Sequence, residues 1–380
     1  MIYLNHAATS YPRLPEVKEA VQNCMDRLPS SEFRSNAAGN VSLAAACREK
    51  LGKLFQIKDY ERIIFTSGAT EAANLIINGL LLEGKTVLTA ADTHNCILRP
   101  LYNSDKHPVL KKIPHHSSGE LDLDILEEEL KKGAYALFVN HCSNVTGILT
   151  DIGKVCALAK KYGTLVFADV SQSAGCLPVS MDQWQADGLI FTAHKSLLGI
   201  QGLGGFYMRK PDLLRPVKFG GTGKDSHILK YPDGHGAAFE VGTQNEPAIA
   251  ALDASLQVLL RITPEVIHKQ EGEMMRYLAE QLRELEPVTL YGDTPKPKGP
   301  VLSLRIRGLS VSDIGYILEN GYGIIVRTGL HCAPLIHEDL GTAGEGTVRI
   351  SISFLTRWEE INAFVEAVRE IAGSCGTSKG

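Results

Sequence analysis

The chain has no apolar run of the ~20 residues that a membrane span requires. Its longest candidate, 74–82, has the length of a buried core helix. It has no excess of one charge either: 39 basic against 43 acidic residues leave a formal net charge of −4. Nucleic-acid binders usually carry a strong basic excess, so no nucleic-acid partner is expected. No charge run is long enough to form a solvated tail. The opening Met1-Ile-Tyr-Leu-Asn-His lacks a basic segment followed by an apolar one, so no secretory signal is expected. Eight cysteines are present, but none form a Cys-x-x-Cys pair. Scattered thiols in such a chain read as reduced, and a cytoplasmic location is expected.

What remains is a chain of 380 residues, 44% hydrophobic and 22% charged, the composition of an ordinary globular protein. At ~150 residues per domain, two or three domains are expected. Seven short apolar runs alternate with helical patterns, at 63–65, 86–89, 109–113, 136–140, 164–168, 188–192 and 205–208. Alternation of this kind predicts a mainly parallel sheet covered on both faces. The helix read over 151–162 has Gly163 as its stop signal. After residue 250 the texture changes. A long helical pattern over 247–285 is interrupted at Thr263-Pro264, and a Pro/Lys/Gly-rich loop follows at 291–300. Strand patterns at 301–306, 324–327 and 347–351 and helical ones at 311–319 and 358–371 come next. The expected division is a large α/β domain over 14–250 and a smaller α+β domain over 251–380 that includes residues 1–13. The segment 219–245 is rich in Gly and polar residues without a period, a length that suits a functional lid or interface.

Four motifs could carry chemistry. Ser67-Gly68-Ala69-Thr70-Glu71 lies between a strand and a helix, where small residues let backbone N–H groups approach an anion. It also reads as a plain strand-to-helix turn. Asp169, at the end of an apolar strand, sits where open α/β sheets bind ligands and could hold a protonated ring nitrogen. Its bland reading is a helix N-cap. Lys195, in Thr192-Ala193-His194-Lys195, just past a strand, would be desolvated and able to form a Schiff base. A lone lysine on a loop is more often solvated. Cys332, in Arg327-Thr328-Gly329-Leu330-His331-Cys332-Ala333-Pro334, sits near Arg and His and could react as thiolate. Otherwise it is a small buried cysteine. A metal reading of His331, Cys332 and His337 lacks the paired spacing of zinc sites. His115-His116 reads as a surface turn, Glu127-Glu128-Glu129 as a solvated helix face, and Trp184 and Trp358 as packing residues.

The order of these motifs is more specific than any one of them. The turn at residue 68, His94, Asn144, Asp169 with Gln172, and Thr192-x-His194-Lys195 together resemble the class V, fold-type I pyridoxal-phosphate enzymes. The resemblance covers essentially the whole chain. Within that group, Arg327-x-Gly-x-His331-Cys332-Ala333 and the opening Tyr-Leu-Asn-His-Ala-Ala-Thr resemble the second class of cysteine desulfurases, which includes selenocysteine lyases.

The resemblance implies pyridoxal 5'-phosphate as cofactor, carried by Lys195, with Asp169 on the ring nitrogen and Gln172 on the ring hydroxyl. It implies His94 stacked on the ring and able to shuttle protons. Ala69, Thr70, Thr192 and His194 would bind the phosphate. Thr243 would reach the phosphate of a neighbouring subunit, which implies a homodimer. Asn144 and Arg349, with Arg327, would hold the substrate carboxylate, a task that suits the two parallel hydrogen bonds of a guanidinium. The implied reaction removes sulfur from L-cysteine, giving L-alanine and a persulfide on Cys332, with a sulfur-acceptor protein as possible partner. The chain departs from that class in having Leu330 before His331, Ile200 after Gly199, and Asn40 after Gly39. These positions bear on the preference between cysteine and selenocysteine. The rival readings are an aminotransferase or β-lyase in which Cys332 is incidental, and a non-catalytic binding protein on the same fold.

Overall fold

The computed structural model describes residues 1–27, 42–221, 227, 229 and 239–376. Asn40, Gly39 and nearly all of the 221–236 loop lie outside the described residues.

The strands, in chain order, are β1 (Ile2–Tyr3), β2 (Ile63–Thr66), β3 (Thr86–Ala90), β4 (Val109–Ile113), β5 (Ala136–Asn140), β6 (Leu165–Asp169), β7 (Gly188–Thr192) and β8 (Gly204–Met208). They continue as β9 (Val288–Tyr291), β10 (Val301–Ile306), β11 (Ile324–Ile325), β12 (Arg327–Gly329) and β13 (Thr347–Ser351). Seven form one sheet in the order β2-β8-β7-β6-β5-β3-β4. Only β8 runs against its neighbours, β2 and β7; the other pairings are parallel. Each of the seven expected runs is a strand, displaced by a residue at most. Parallel strands need crossovers, and helices on both faces bury the central strands completely. Successive residues point to opposite faces, so Leu137 and Val139 pack with Leu51, Phe55 and Leu252. Phe138 packs on the other side with Ile76, Ile190 and Phe206, and its ring stacks on Phe167 at 4.9 Å. Edge strand β4 has its exposed and part-buried residues alternating, as fits Lys111 and Lys112 there.

The helix Ile152–Lys161 starts where the Asp151 side chain accepts from Lys154 N, and Gly163, at φ +70°, follows its end. The long helical pattern does break at Thr263, whose φ of +75° separates Glu246–Ile262 from Pro264–Arg283. The first of these helices packs in the core of the seven-stranded sheet and the second in another core. That second core is built on the antiparallel sheet β12-β13-β10-β9, with Leu302, Leu304, Val348 and Ile350 facing Leu278, Leu318 and Phe364. Leu4 also belongs to it, because β1 pairs in parallel with β11. The single strand expected over 324–327 is two: β11 pairs with β1, and β12 pairs with β13. β9 and the helices Pro15–Met25 and Leu43–Phe55 were not among the elements expected from the sequence.

Candidate active site

Strands β3, β5, β6 and β7 are parallel, so their C-terminal ends open on one side, where such sheets bind ligands. A cavity of about 370 Å³ lies there. Asp169, the last residue of β6, lines it, as does Thr192, the last of β7. Lys195 and His194 follow on the loop after β7, and His94 and Asn144 enter from the turns after β3 and β5. The turn 67–71 closes one wall. Glu71 fixes that turn, accepting from Ser67 N at 2.7 Å and pairing with Lys218 at 2.6 Å. Across from it, a Cβ on Gly204 would come within 2.7 Å of Gly68 Cα, so only glycine lets β8 approach the turn.

Burial sets the electrostatics. It pulls the Lys195 ammonium below its ordinary value, with the nearby Asp169 carboxylate pulling the other way. The lysine side chain makes no hydrogen bond among the described residues, which leaves the amine available as a nucleophile or base. His94 is lowered to about 3, by burial first and then by the charge of Lys195. Its Nδ1 accepts from Cys96 N at 3.0 Å, so the neutral ring carries its proton on Nε2. His194 is lowered to about 4, mainly by burial, and its Nδ1 meets Thr9 Oγ1 at 3.1 Å. Gln172 donates through Nε2 to Ala7 O at 3.0 Å.

Arg349 is fully buried, and burial lowers it to about 9. Nη1 donates to Asn144 O at 2.9 Å and Nη2 to Asn5 Oδ1 at 3.2 Å, while Nε has no partner among the described residues. Asn144 donates to His331 O at 2.7 Å, and its own Oδ1 is unpartnered. A buried guanidinium without a carboxylate is costly unless an anion completes it. The cavity therefore presents a site for a small carboxylate.

Cys332 does not line the cavity wall; it stands beside it on the loop after β12. Arg327 lines the cavity and donates through Nη2 to Cys332 Sγ at 3.0 Å. Arg327, expected on the substrate carboxylate, is thus placed against the thiol. His331 and Cys332 are consecutive non-glycine residues in the left-handed region, at φ +50° and +61°. Such residues are strained and persist only where neighbours hold them. Asn95 N donates to Cys332 O at 2.7 Å, and His331 Nε2 lies 2.9 Å from Thr347 Oγ1. Burial, then Arg349, lowers His331 to about 2, which keeps it neutral.

All the expected site residues except Cys332 and Thr243 line this cavity. Thr243 is exposed. One expectation is corrected: His115 is not on a surface turn. Its side chain is buried 3.6 Å from Asp92, while His116 is exposed. The His115–Asp92 pair joins the ends of β3 and β4, which the parallel pairing brings together. Sequence reading also missed Asn5, which holds Arg349, and Arg13, which donates to Gly199 O in the lysine loop at 2.7 Å. The run Tyr3-Leu-Asn-His was a signal for Asn5; His115 had none. Trp184 and Trp358 make edge contacts with His141 and Tyr277 away from the cavity.

A lysine and an aspartate at adjacent strand ends, with a small-residue helix start opposite, match the arrangement that the resemblance to pyridoxal-phosphate enzymes implies. The aminotransferase class-V family model matches residues 2–364. The chain belongs to that family, whose members are pyridoxal-phosphate dependent. A cysteine desulfurase of Pectobacterium atrosepticum is 30% identical over 351 residues, covering 88% of this chain and 84% of the relative. A probable cysteine desulfurase of Halobacterium salinarum is 29% identical over 97% of this chain and 91% of the relative. The apo cysteine desulfurase of Thermococcus onnurineus superposes with a TM-score of 0.85 at 30% identity, over 98% of this chain and 95% of that one. The Escherichia coli cysteine desulfurase CsdA, in its S-sulfonic acid form, also gives 0.85, at 25% identity over 98% and 94%. Within its family the chain groups with the cysteine desulfurases.

The residues present fit the cofactor. No side chain caps the helix Ala69–Gly79, whose first residues line the cavity, so its N–H groups are left for a phosphate. Thr70, Thr192 and His194 stand around the same wall, and Asp169 and the unbonded Lys195 face the space between.

Proposed function

We propose that this chain removes sulfur from L-cysteine, releasing L-alanine and leaving a persulfide on Cys332. The observation that carries the reading is the hydrogen bond from Arg327 to Cys332 Sγ, at a cavity that also holds Lys195 and an unpaired buried Arg349.

Lys195 would hold the cofactor covalently, Asp169 would bind its ring nitrogen, Gln172 its hydroxyl, and Ala69, Thr70, Thr192 and His194 its phosphate. When bound, pyridoxal phosphate supplies an electron sink for charge released at the substrate's α-carbon. Arg349 and Asn144 bind the carboxylate and orient the Cα–H bond. Lys195 Nζ, kept poorly solvated, takes the α-proton; base help of this kind is worth ~10²–10⁴-fold. His94, with its proton on Nε2, lines the cavity where the cofactor would lie and could return a proton. Cys332 Sγ, held by Arg327, attacks the substrate sulfur. A sulfur–sulfur bond forms, the carbon–sulfur bond breaks, and the carbon gains a proton to become the methyl of alanine.

The same reading makes the protein a homodimer, with Thr243 at the neighbouring subunit's phosphate; its exposure away from this chain's own cavity supports that. A cytoplasmic location and delivery to a sulfur-acceptor protein go with it. No helix among the described residues is long and apolar enough to cross a membrane. The domain division goes with it too: two cores support a large cofactor domain and a smaller domain that includes the N-terminus, with the helix up to Ile262 siding with the large one.

The test is alanine release from L-cysteine by protein supplied with pyridoxal phosphate and a thiol reductant. Alanine with matching sulfide is expected. Pyruvate in place of alanine would replace the reading with β-elimination, leaving Cys332 a bystander.

A further inference from the structure

The Cys332 loop is docked on the edge of the large sheet by a group that the chemistry above does not use. After Cys332 the chain passes through Ala333 and the short helix Ile336–Asp339. Ala333 and Ile336 pack with Ala91 and Val145 in a small apolar cluster. Beside that cluster, Asp339 reaches the end of β4. Its Oδ1 accepts from Lys112 Nζ at 2.9 Å and its Oδ2 from the backbone N of His115 at 2.8 Å. The His115 side chain turns inward to the buried Asp92, two residues before His94. One carboxylate thus ties the thiol loop to the end of β4, which pairs with the end of β3 that leads to His94.

We propose that Asp339 is a positioning residue for sulfur transfer: it latches the Cys332 loop to β4 and so holds the thiol beside the cavity. The proposal rests on the desulfurase reading for its effect on turnover. Most surface ion pairs contribute little, because water screens them and two long side chains must be ordered. Glu338 is such a pair with Lys112, since its side chain is 56% exposed. Asp339 differs: it is 10% exposed and also accepts a backbone N–H. Removing it strands the buried His115 N–H, while Lys112 keeps only the exposed Glu338. The loop most needs an anchor here, because His331 and Cys332 store strain that release of the loop would relieve.

The experiment measures Cys332 alkylation by a bulky maleimide, followed by peptide mass spectrometry, together with turnover of two substrates by cofactor-loaded protein. L-Cysteine needs the thiol. Cysteine sulfinate does not, because its sulfur leaves unaided as sulfur dioxide. For Asp339→Ala we expect alkylation faster and kcat for L-cysteine lower, each by roughly tenfold, the equivalent of one charge-assisted hydrogen bond. KM, the cofactor absorbance and sulfinate turnover stay unchanged. Asp339→Asn falls between, because the amide oxygen still accepts from His115 N. Glu338→Ala matches the parent protein throughout. Unchanged alkylation in Asp339→Ala overturns the latch, as does an equal fall in cysteine and sulfinate turnover. If Asp339→Ala does not fold, Lys112→Met replaces it. A smaller shift in the same direction is expected, and none at all overturns the proposal. A parent protein that makes no alanine from cysteine defeats the desulfurase reading, while alkylation still decides the latch.

Discussion

The two regions that meet at the cavity are built by different means. The cofactor wall rests on strand ends: Asp169 and Thr192 terminate β6 and β7, and His194 and Lys195 follow within three residues. Its stiffness comes from the buried central strands β5, β6 and β7. The thiol loop has no such platform. Its consecutive left-handed residues, His331 and Cys332, each cost about 1–3 kcal/mol. They are held by contacts from the distant Asn95 and Asn144 and, nearer in the chain, from Thr347 and Arg327. On the proposed function, a cofactor that must stay fixed would be seated on the sheet, while a sulfur that must be handed on would sit on a strained, tied-down loop.

The largest effect should come from the wall. Lys195→Ala is expected to lower alanine formation by about 10⁴-fold, the upper range for a removed proton-transfer group. Added cofactor should still bind, but without the absorbance of the lysine-linked form. Normal turnover would remove Lys195 from the chemistry.

Cys332→Ala should break the two regions apart. Alanine formation from L-cysteine should fall on the order of 10³-fold or more, since a nucleophile is lost. The cofactor spectrum should match the parent's. An altered spectrum would mean that the loop also shapes the wall.

Between the regions stands Arg327. Arg327→Gln should slow alanine formation by roughly 10–100-fold, as for a lost charged hydrogen bond. A rise in KM alone, with kcat intact, would assign it to substrate carboxylate and not to sulfur.

Acid should loosen the loop. His331 is lowered from 6.5 to about 2 when folded, so the unfolded chain binds the proton first. Its stabilising contribution is whole above pH 6.5 and declines as the pH falls toward about 2. Melting temperatures at pH 8 and pH 5 should therefore differ less in His331→Gln than in the parent protein. An equal difference would show that this histidine is not responsible.

The smallest effect isolates the strain itself. Cys332→Gly should be more stable than Cys332→Ala by about 1 kcal/mol, because only glycine adopts the left-handed conformation freely. Urea unfolding of both inactive variants measures it, and equal midpoints would remove the strain argument.

The seven strands, the break at Thr263 and the cofactor wall were readable in the sequence. Alternating apolar runs set the sheet, and the proposed catalytic groups at strand ends lie within a few residues of those runs. Residues such as Lys195 and Asp169 are offered by position, but only the order of the motifs and the family resemblance single them out. Local pattern also supplied Cys332, through its Gly- and Pro-bounded turn. What only tertiary structure decided is who holds whom. His115 looked like half of a surface pair, yet parallel pairing of β3 with β4 carries it inward to Asp92. Asn5 finds Arg349 because β1 pairs with β11, more than 300 residues along the chain. Arg327 meets sulfur because the loop after β12 turns back through left-handed residues. Periodicity records which face of an element is buried, and short spacing records what a strand end presents. Neither encodes contacts between distant segments, which exist only once both cores have formed and fixed their ends together.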